Sequence, residues 1–379
     1  MLTPLTLFLL GSCPLLARTA AAAASASPPP SSQPSSCWDF HNFTSLVTFG
    51  DSYTDDSRWG YIGSHNGSMP PVGFENPGNY HSASGGRPWP QYVKQYTASN
   101  SPSNPNGINL YNYAVSGAVC SNTLTPRSVT VPLNKTILYP SVQEYELPAF
   151  LTDHLHTTTI DPTSTIYALW IGTNDLGANA FLTDSQVPGK TIVDYTNCVL
   201  EIFHQLYYRA GARYFVLMNV APLQLAPLYS ATRESGLVDD GLEREWAGSP
   251  ENLTRVAGRL GEEVGLVNRI WELEMGGVKK KGEKGRGLEE GKFAVMDIYG
   301  LISDIYHNPT SYLNGTTAPL DVQGYNRHCN ATGGNCQTSS SPDSFLWFDA
   351  LHPSEQTDRV IAREFVEVVK GTSRWASYW

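Results

Sequence analysis

In LVTFGDSYTDD, residues 46–56, four apolar or β-branched residues run straight into Gly50, Asp51 and Ser52. An unbroken apolar run of this kind fits a strand covered on both faces, as in a parallel sheet with helices above and below. A strand that stops at glycine and presents a serine holds a hydroxyl at a fixed point on the rim of that sheet. A hydroxyl is a poor nucleophile until a base removes its proton. Ser52 is therefore a turn residue or a nucleophile, according to what the rest of the chain supplies.

Working outward, similar runs recur in STIYALWIG (164–172), RYFVLMNV (213–220) and FAVMDI (293–298). Between and after them lie stretches with apolar residues at helical spacing. These are EYELPAFLTDHL (144–155), with Pro148 placed to kink it, TIVDYTNCVLEIFHQLYYRAGA (191–212) and PENLTRVAGRLGEEVGLVNRIWELE (250–274). A last helix is expected in SEQTDRVIAREFVEVVKG (354–371), with Ser354 as N-cap and Gly371 past its end. Alternating strands and helices predict βαβ units, hence an α/β fold with a mostly parallel sheet and helices on both faces. The interruptions 53–110, 117–143 and 304–347 are rich in Gly, Pro, Asn, Ser and Tyr, and loops of that length in one domain usually carry function. KKKGEKGRGLEEGK (279–292) reads as an exposed charged loop.

The chain has 379 residues, 41% of them hydrophobic and 16% charged, as expected of a globular protein. A net charge of −10 argues against a nucleic-acid or anionic-membrane partner. LTPLTLFLLGSCPLLA (2–17) is too short an apolar core to span a bilayer, and ARTAAAAASA follows it, so residues 1–24 read as a secretory signal although no basic residue precedes the core. Residues 25–36, SPPPSSQPSS with its flanks, form a Pro/Ser-rich linker, and 37–379 a single domain. No other stretch approaches the ~20 apolar residues of a membrane span. The expectation is a soluble, extracellular monomer without stable membrane association. Six sequons, at Asn42, Asn66, Asn134, Asn252, Asn314 and Asn330, fit a glycosylated surface. Cys329 and Cys336 flank the turn-rich NATGGN and predict a small disulfide loop; the pairing among Cys37, Cys120 and Cys198 stays open. There is no CxxC or HExxH pattern, so no metal or cofactor is expected. PGKT (188–191) has Asp184 where a phosphate loop needs its first glycine, and no serine stands in G-x-S-x-G.

WFDALHPSEQTD (347–358) supplies a base for Ser52. Asp349 and His352, three apart, can share one side of a turn, so that the carboxylate steadies one imidazole nitrogen and the other faces outward. The plainer alternative is a helix start with a solvated aspartate. NYAVSGAVCSN (112–122) offers the backbone of Gly117, and LWIGTNDLG (169–177) the side chain of Asn174, as hydrogen-bond donors to a developing oxyanion. Asp175 reads as structural. Ligands gather at the carboxyl ends of strands in open parallel sheets, which puts Ser52 and Asn174 on one rim.

FGDSYTDD, NYAVSGAVCSN, WIGTNDLG and FDALHPS, in that order, resemble the four diagnostic blocks of the GDSL or SGNH hydrolase superfamily. The resemblance implies a flavodoxin-like three-layer α/β/α sandwich with its site at the strand ends. It implies Ser52 as nucleophile with its own N–H in the oxyanion hole, Gly117 and Asn174 as the other donors, His352 as base and Asp349 as its orienter. With CWDFHNFTSLVTFGDSYTDD, GGRPWPQYV and DSFLWFDALHPSEQTDRVIAREFV, the chain is similar to fungal secreted acetylesterases of carbohydrate esterase family 16. That implies removal of O-acetyl groups from plant cell-wall saccharides such as acetylated xylo-oligosaccharides. No long apolar stretch suggests a lid for long acyl chains. Tyr53, Trp59, Tyr61, Trp89 and Tyr92 are either sugar-stacking or core aromatics. A GDSL lipase or phospholipase, a general short-chain carboxylesterase and a catalytically silent binding module are the alternatives.

Overall fold

Every residue of Ser45–Gly50, β1, is buried. It lies between β2 (Asn109–Asn112) and β3 (Thr165–Trp170), with Ser45 level with Asn109 on one side and Thr165 on the other. β4 (Tyr214–Met218), β5 (Lys292–Met296) and β6 (Ala376–Tyr378) complete a sheet of order β6-β5-β4-β3-β1-β2. All neighbours are parallel except β6 against β5. The parallel strands thus run 2-1-3-4-5, the flavodoxin-like order, whose switch point lies between β1 and β3. The structure, a computed structural model, describes residues 38–78, 82–99, 106–156, 160–231, 252–278, 287–330 and 334–379. All of these belong to one compact unit. The expected signal and linker, Cys37 and most of the 279–292 stretch fall outside the described residues.

The longer helices are α1 (Trp89–Ser99), α2 (Leu147–His156), α3 (Ile192–Ala210), α4 (Leu253–Val278), α5 (Ile298–His307) and α6 (Glu355–Val369). α1 packs on α6, while α2 and α4 both pack on α3. Right-handed crossovers in this strand order set those two groups on opposite faces of the sheet. α3 begins with a capping box, Thr191 with Asp194, and ends at Gly211 with φ +70°. Ser354 caps α6, its Oγ accepting the Thr357 N–H at 3.2 Å.

Three local differences from the sequence reading have physical causes. Pro148 is the second residue of α2, which continues directly from a π-helical turn, Val142–Glu146, so the proline sits where the helix changes pitch and not within a regular α-helix. β2 and β6 are half-exposed edge strands and lack the continuous apolar run of β1 and β3. The long interruptions hold α1, an antiparallel hairpin (Ser128–Val131 with Lys135–Leu138) and a parallel pair (Asp321–Tyr325 with Phe345–Trp347), each too short to stand out among glycines and prolines. Cys329 and Cys336 are bridged, and a second disulfide joins Cys120 to Cys198 on α3. Among the described residues no helix is long and apolar enough to cross a membrane.

Candidate active site

The carboxyl end of β1 turns so tightly that only glycine fits. Gly50 has φ +150°, and a Cβ there would lie 2.2 Å from the Trp170 carbonyl oxygen on β3. Asp51 then organises the turn: its carbonyl accepts the N–H groups of Thr54 and Asp55, each at 2.9 Å, and its Oδ1 accepts that of Tyr53 at 3.0 Å. Between these fixed residues Ser52 is 6% exposed.

The partner comes from the loop before α6. That loop is closed by Phe348 N–H on the His352 carbonyl, 2.8 Å, and Ser354 N–H on the Leu346 carbonyl, 2.9 Å. Asp349 Oδ1 accepts the N–H groups of Leu351 and His352 at 2.9 and 2.8 Å, and its carboxylate meets His352 Nδ1 at 2.8 and 2.9 Å. Desolvation pushes the Asp349 carboxyl up, but the imidazole and these donors outweigh it and hold the group below its ordinary range. With Nδ1–H committed to the carboxylate, Nε2 is the acceptor nitrogen. It lies 2.9 Å from Ser52 Oγ, across 300 residues of chain. Tyr53 links the same two loops, its hydroxyl donating to the Leu351 carbonyl at 2.7 Å and its ring standing edge-on to His352.

Two buried carboxyls fasten the 112–118 segment to the end of β1. Asp55 accepts the N–H and Oγ of Ser116 at 2.8 and 2.9 Å. Glu146 accepts the N–H groups of Gly50 and Val115 at 2.9 and 3.2 Å. Burial raises both above the ordinary carboxyl range. Gly117 has φ +85°, and the Tyr139 ring occupies the place of any side chain there. Asn174, 8% exposed, donates Nδ2–H to the Ala118 carbonyl at 2.8 Å and accepts at Oδ1 from Arg127 Nη1. Asp175 is structural, as read: it accepts from Cys120 N–H at 3.0 Å and Thr125 Oγ1 at 2.7 Å, and burial pushes it up to about 7.

The backbone donors differ in a way that matters. The N–H groups of Tyr53, Thr54, Ser116 and Ala118 all have protein acceptors. Among the described residues those of Ser52 and Gly117 have none, and one Nδ2 hydrogen of Asn174 is also uncommitted. Backbone and amide donors left without partners are what an oxyanion requires.

Sequence reasoning missed Asp55, which lies inside FGDSYTDD but was given no role, and Glu146, Arg127 and Tyr139, which sit outside the four motifs. It also left three aromatics as candidate sugar platforms that are core instead: Tyr53, Trp89 and Tyr92 are buried. Their polar tips point inward, Trp89 Nε1 to Thr54 Oγ1 at 3.2 Å and the Tyr92 hydroxyl to Glu355 at 2.6 Å. Trp59 and Tyr61 remain half-buried. The sequon asparagines 42, 66, 134, 252 and 314 are exposed, while Asn330 is half-buried and accepts the Gly334 N–H at 2.7 Å. Among the described residues no cluster of His, Cys, Asp and Glu could hold a metal ion.

The family described as GDSL-like Lipase/Acylhydrolase matches residues 46–365. An acetylesterase of Hypocrea jecorina is 40% identical over 342 residues, which covers 89% of this chain and 92% of that one. An acetylesterase of Thermothelomyces thermophilus is 24% identical over 334 residues, covering 86% and 88%. A GDSL esterase/lipase of Arabidopsis thaliana is 24% identical over 358 residues, covering 86% and 91%.

Proposed function

The chain belongs to the GDSL-like lipase/acylhydrolase family, a family of ester-hydrolysing enzymes, and on that premise we propose that it is a secreted serine esterase that removes O-acetyl groups from carbohydrates. The observation that carries the reading is the unbroken series Asp349–His352–Ser52, with contacts of 2.8 and 2.9 Å. The similarity to the Hypocrea jecorina acetylesterase supports acetyl as the acyl group.

In this mechanism His352 Nε2 takes the proton of Ser52 Oγ as it attacks the ester carbonyl. Asp349 holds the imidazole in the required tautomer and offsets the positive charge that forms on it. Ser52 N–H, Gly117 N–H and Asn174 Nδ2–H receive the oxyanion, and each such donor is worth about 2.7–4 kcal/mol. His352 then protonates the departing sugar hydroxyl, and water activated by the same ring clears the acetyl-enzyme. Disulfides and exposed sequons support an extracellular setting.

The test is acetate release from acetylated xylo-oligosaccharide by the wild type and by Ser52→Ala. Release is expected from the first and not from a folded sample of the second. Near-normal release by Ser52→Ala rejects Ser52 as nucleophile, and a strong preference for long acyl chains over acetyl rejects the substrate.

A further inference from the structure

Arg127 stands at the base of the 128–138 hairpin, where the Tyr139 N–H donates to its carbonyl at 2.9 Å. One guanidinium nitrogen, Nη1, donates to two acceptors, the Gly117 carbonyl at 3.2 Å and Asn174 Oδ1. Those acceptors belong to the two loops that carry the proposed oxyanion donors. The guanidinium also lies 5.4 Å from the centre of the Tyr139 ring, which fills the space beside Gly117. None of the ion pairs among the described residues involves Arg127, so no direct carboxylate partner cancels its charge.

We propose that Arg127 is the positioning residue of the oxyanion hole, locking the Asn174 amide to the Gly117 loop and supplying a cation behind it. This inference rests on the esterase reading above. An amide has nearly isosteric ends, and reversing Asn174 would present a lone pair to the oxyanion instead of a donor. With Oδ1 saturated by a cation, only the Nδ2 end faces the reacting carbonyl. A hydrogen bond accepted at Oδ1 also polarises the amide and strengthens its N–H donors. The Ala118 carbonyl selects the same orientation but brings no charge. Burial pushes the neighbouring Asp51 up to about 6, and the charge of Arg127 is among the influences that offset part of that rise.

The variants Arg127→Gln, Arg127→Lys and Arg127→Ala are compared with wild type and Ser52→Ala on p-nitrophenyl acetate. Arg127→Gln should lower kcat by about 10–100-fold, short of the loss of a direct donor, with KM within about twofold. Arg127→Lys keeps the charge and should lie between Arg127→Gln and wild type. Millimolar guanidinium should restore kcat of Arg127→Ala at least about fivefold without affecting wild type, a response that mere loss of packing would not show. A folded Arg127→Gln with kcat within twofold of wild type overturns the proposal. If Arg127→Gln does not fold, absence of guanidinium rescue in Arg127→Ala, or a folded Arg127→Lys no better than Arg127→Ala, overturns it instead. Activity that survives in Ser52→Ala rejects the serine esterase itself; activity lost there but kept in Arg127→Gln rejects only the role of Arg127.

Discussion

Asp349 and Asp175 show at residue scale how one functional group serves opposite ends. Asp349 accepts from two backbone amides and the imidazole, and its carboxyl sits below the ordinary range. Asp349→Asn leaves the loop geometry nearly intact but favours the wrong imidazole tautomer. It should lower kcat by roughly 10⁴-fold with little change in melting temperature, read by steady-state kinetics alongside thermal unfolding. Asp175 is raised by burial from 3.8 to about 7. Between those values the folded state holds a proton that the unfolded state has released, so stability falls as pH rises from about 4 to about 7. For a fully buried group the loss is on the order of 4 kcal/mol. Asp51, pushed up to about 6, adds to the same slope over its lower part. Melting temperature measured from pH 4 to pH 7 should therefore decline, and less steeply in Asp175→Asn; an unchanged slope in that variant would sink the assignment.

At the scale of elements, the turn after β1 and the start of α6 hold the two halves of the site. Gly50 combines a φ that side chains avoid with a backbone oxygen that cannot retreat, since Trp170 is itself held in β3. Gly50→Ala should cost about 2–5 kcal/mol from strain and overpacking, visible in chemical denaturation. Ser354 caps α6 two residues after His352, so its loss acts on both stability and chemistry. Ser354→Ala should cost about 1 kcal/mol of stability and also lower kcat, because the loop that aims the imidazole loses its anchor. A kcat indistinguishable from wild type would show that the Phe348 and Ser354 backbone bonds suffice to hold His352.

For the whole molecule, the sheet order brings together loops that are distant in sequence. The switch point between β1 and β3 gathers Ser52 and Asn174, and the crossover that ends in α6 returns His352 to the same rim. The Cys120–Cys198 disulfide ties the loop beyond Gly117 to α3, closing 78 residues of chain. In the chain-entropy view such a closure stabilises by about 4–5 kcal/mol. Cys198→Ser should lower the melting temperature markedly while leaving kcat of the folded enzyme within a few-fold; the same comparison with reductant on wild type checks it.

The buried strands and the long helices were legible because their signals are local. β1, β3, β4 and β5 are covered on both faces and read as apolar runs, and α3 and α6 carry their caps in their own sequence. The motifs holding Ser52, Gly117, Asn174, Asp349 and His352 were equally visible, since turns of glycine with Asp, Asn and Ser are written in consecutive residues. Edge strands, the hairpin, the partner of Cys120 and the inward turn of Tyr53, Trp89 and Tyr92 were not, because half-exposed segments lose their periodicity and an aromatic ring has the same letter in a core as on a surface. The contact of Arg127 with Asn174, and of Ser52 with His352, depends on which strands are neighbours. That is a property of the sheet as a whole, in which burial of many apolar faces at once selects one strand order, and no single stretch of the chain contains it.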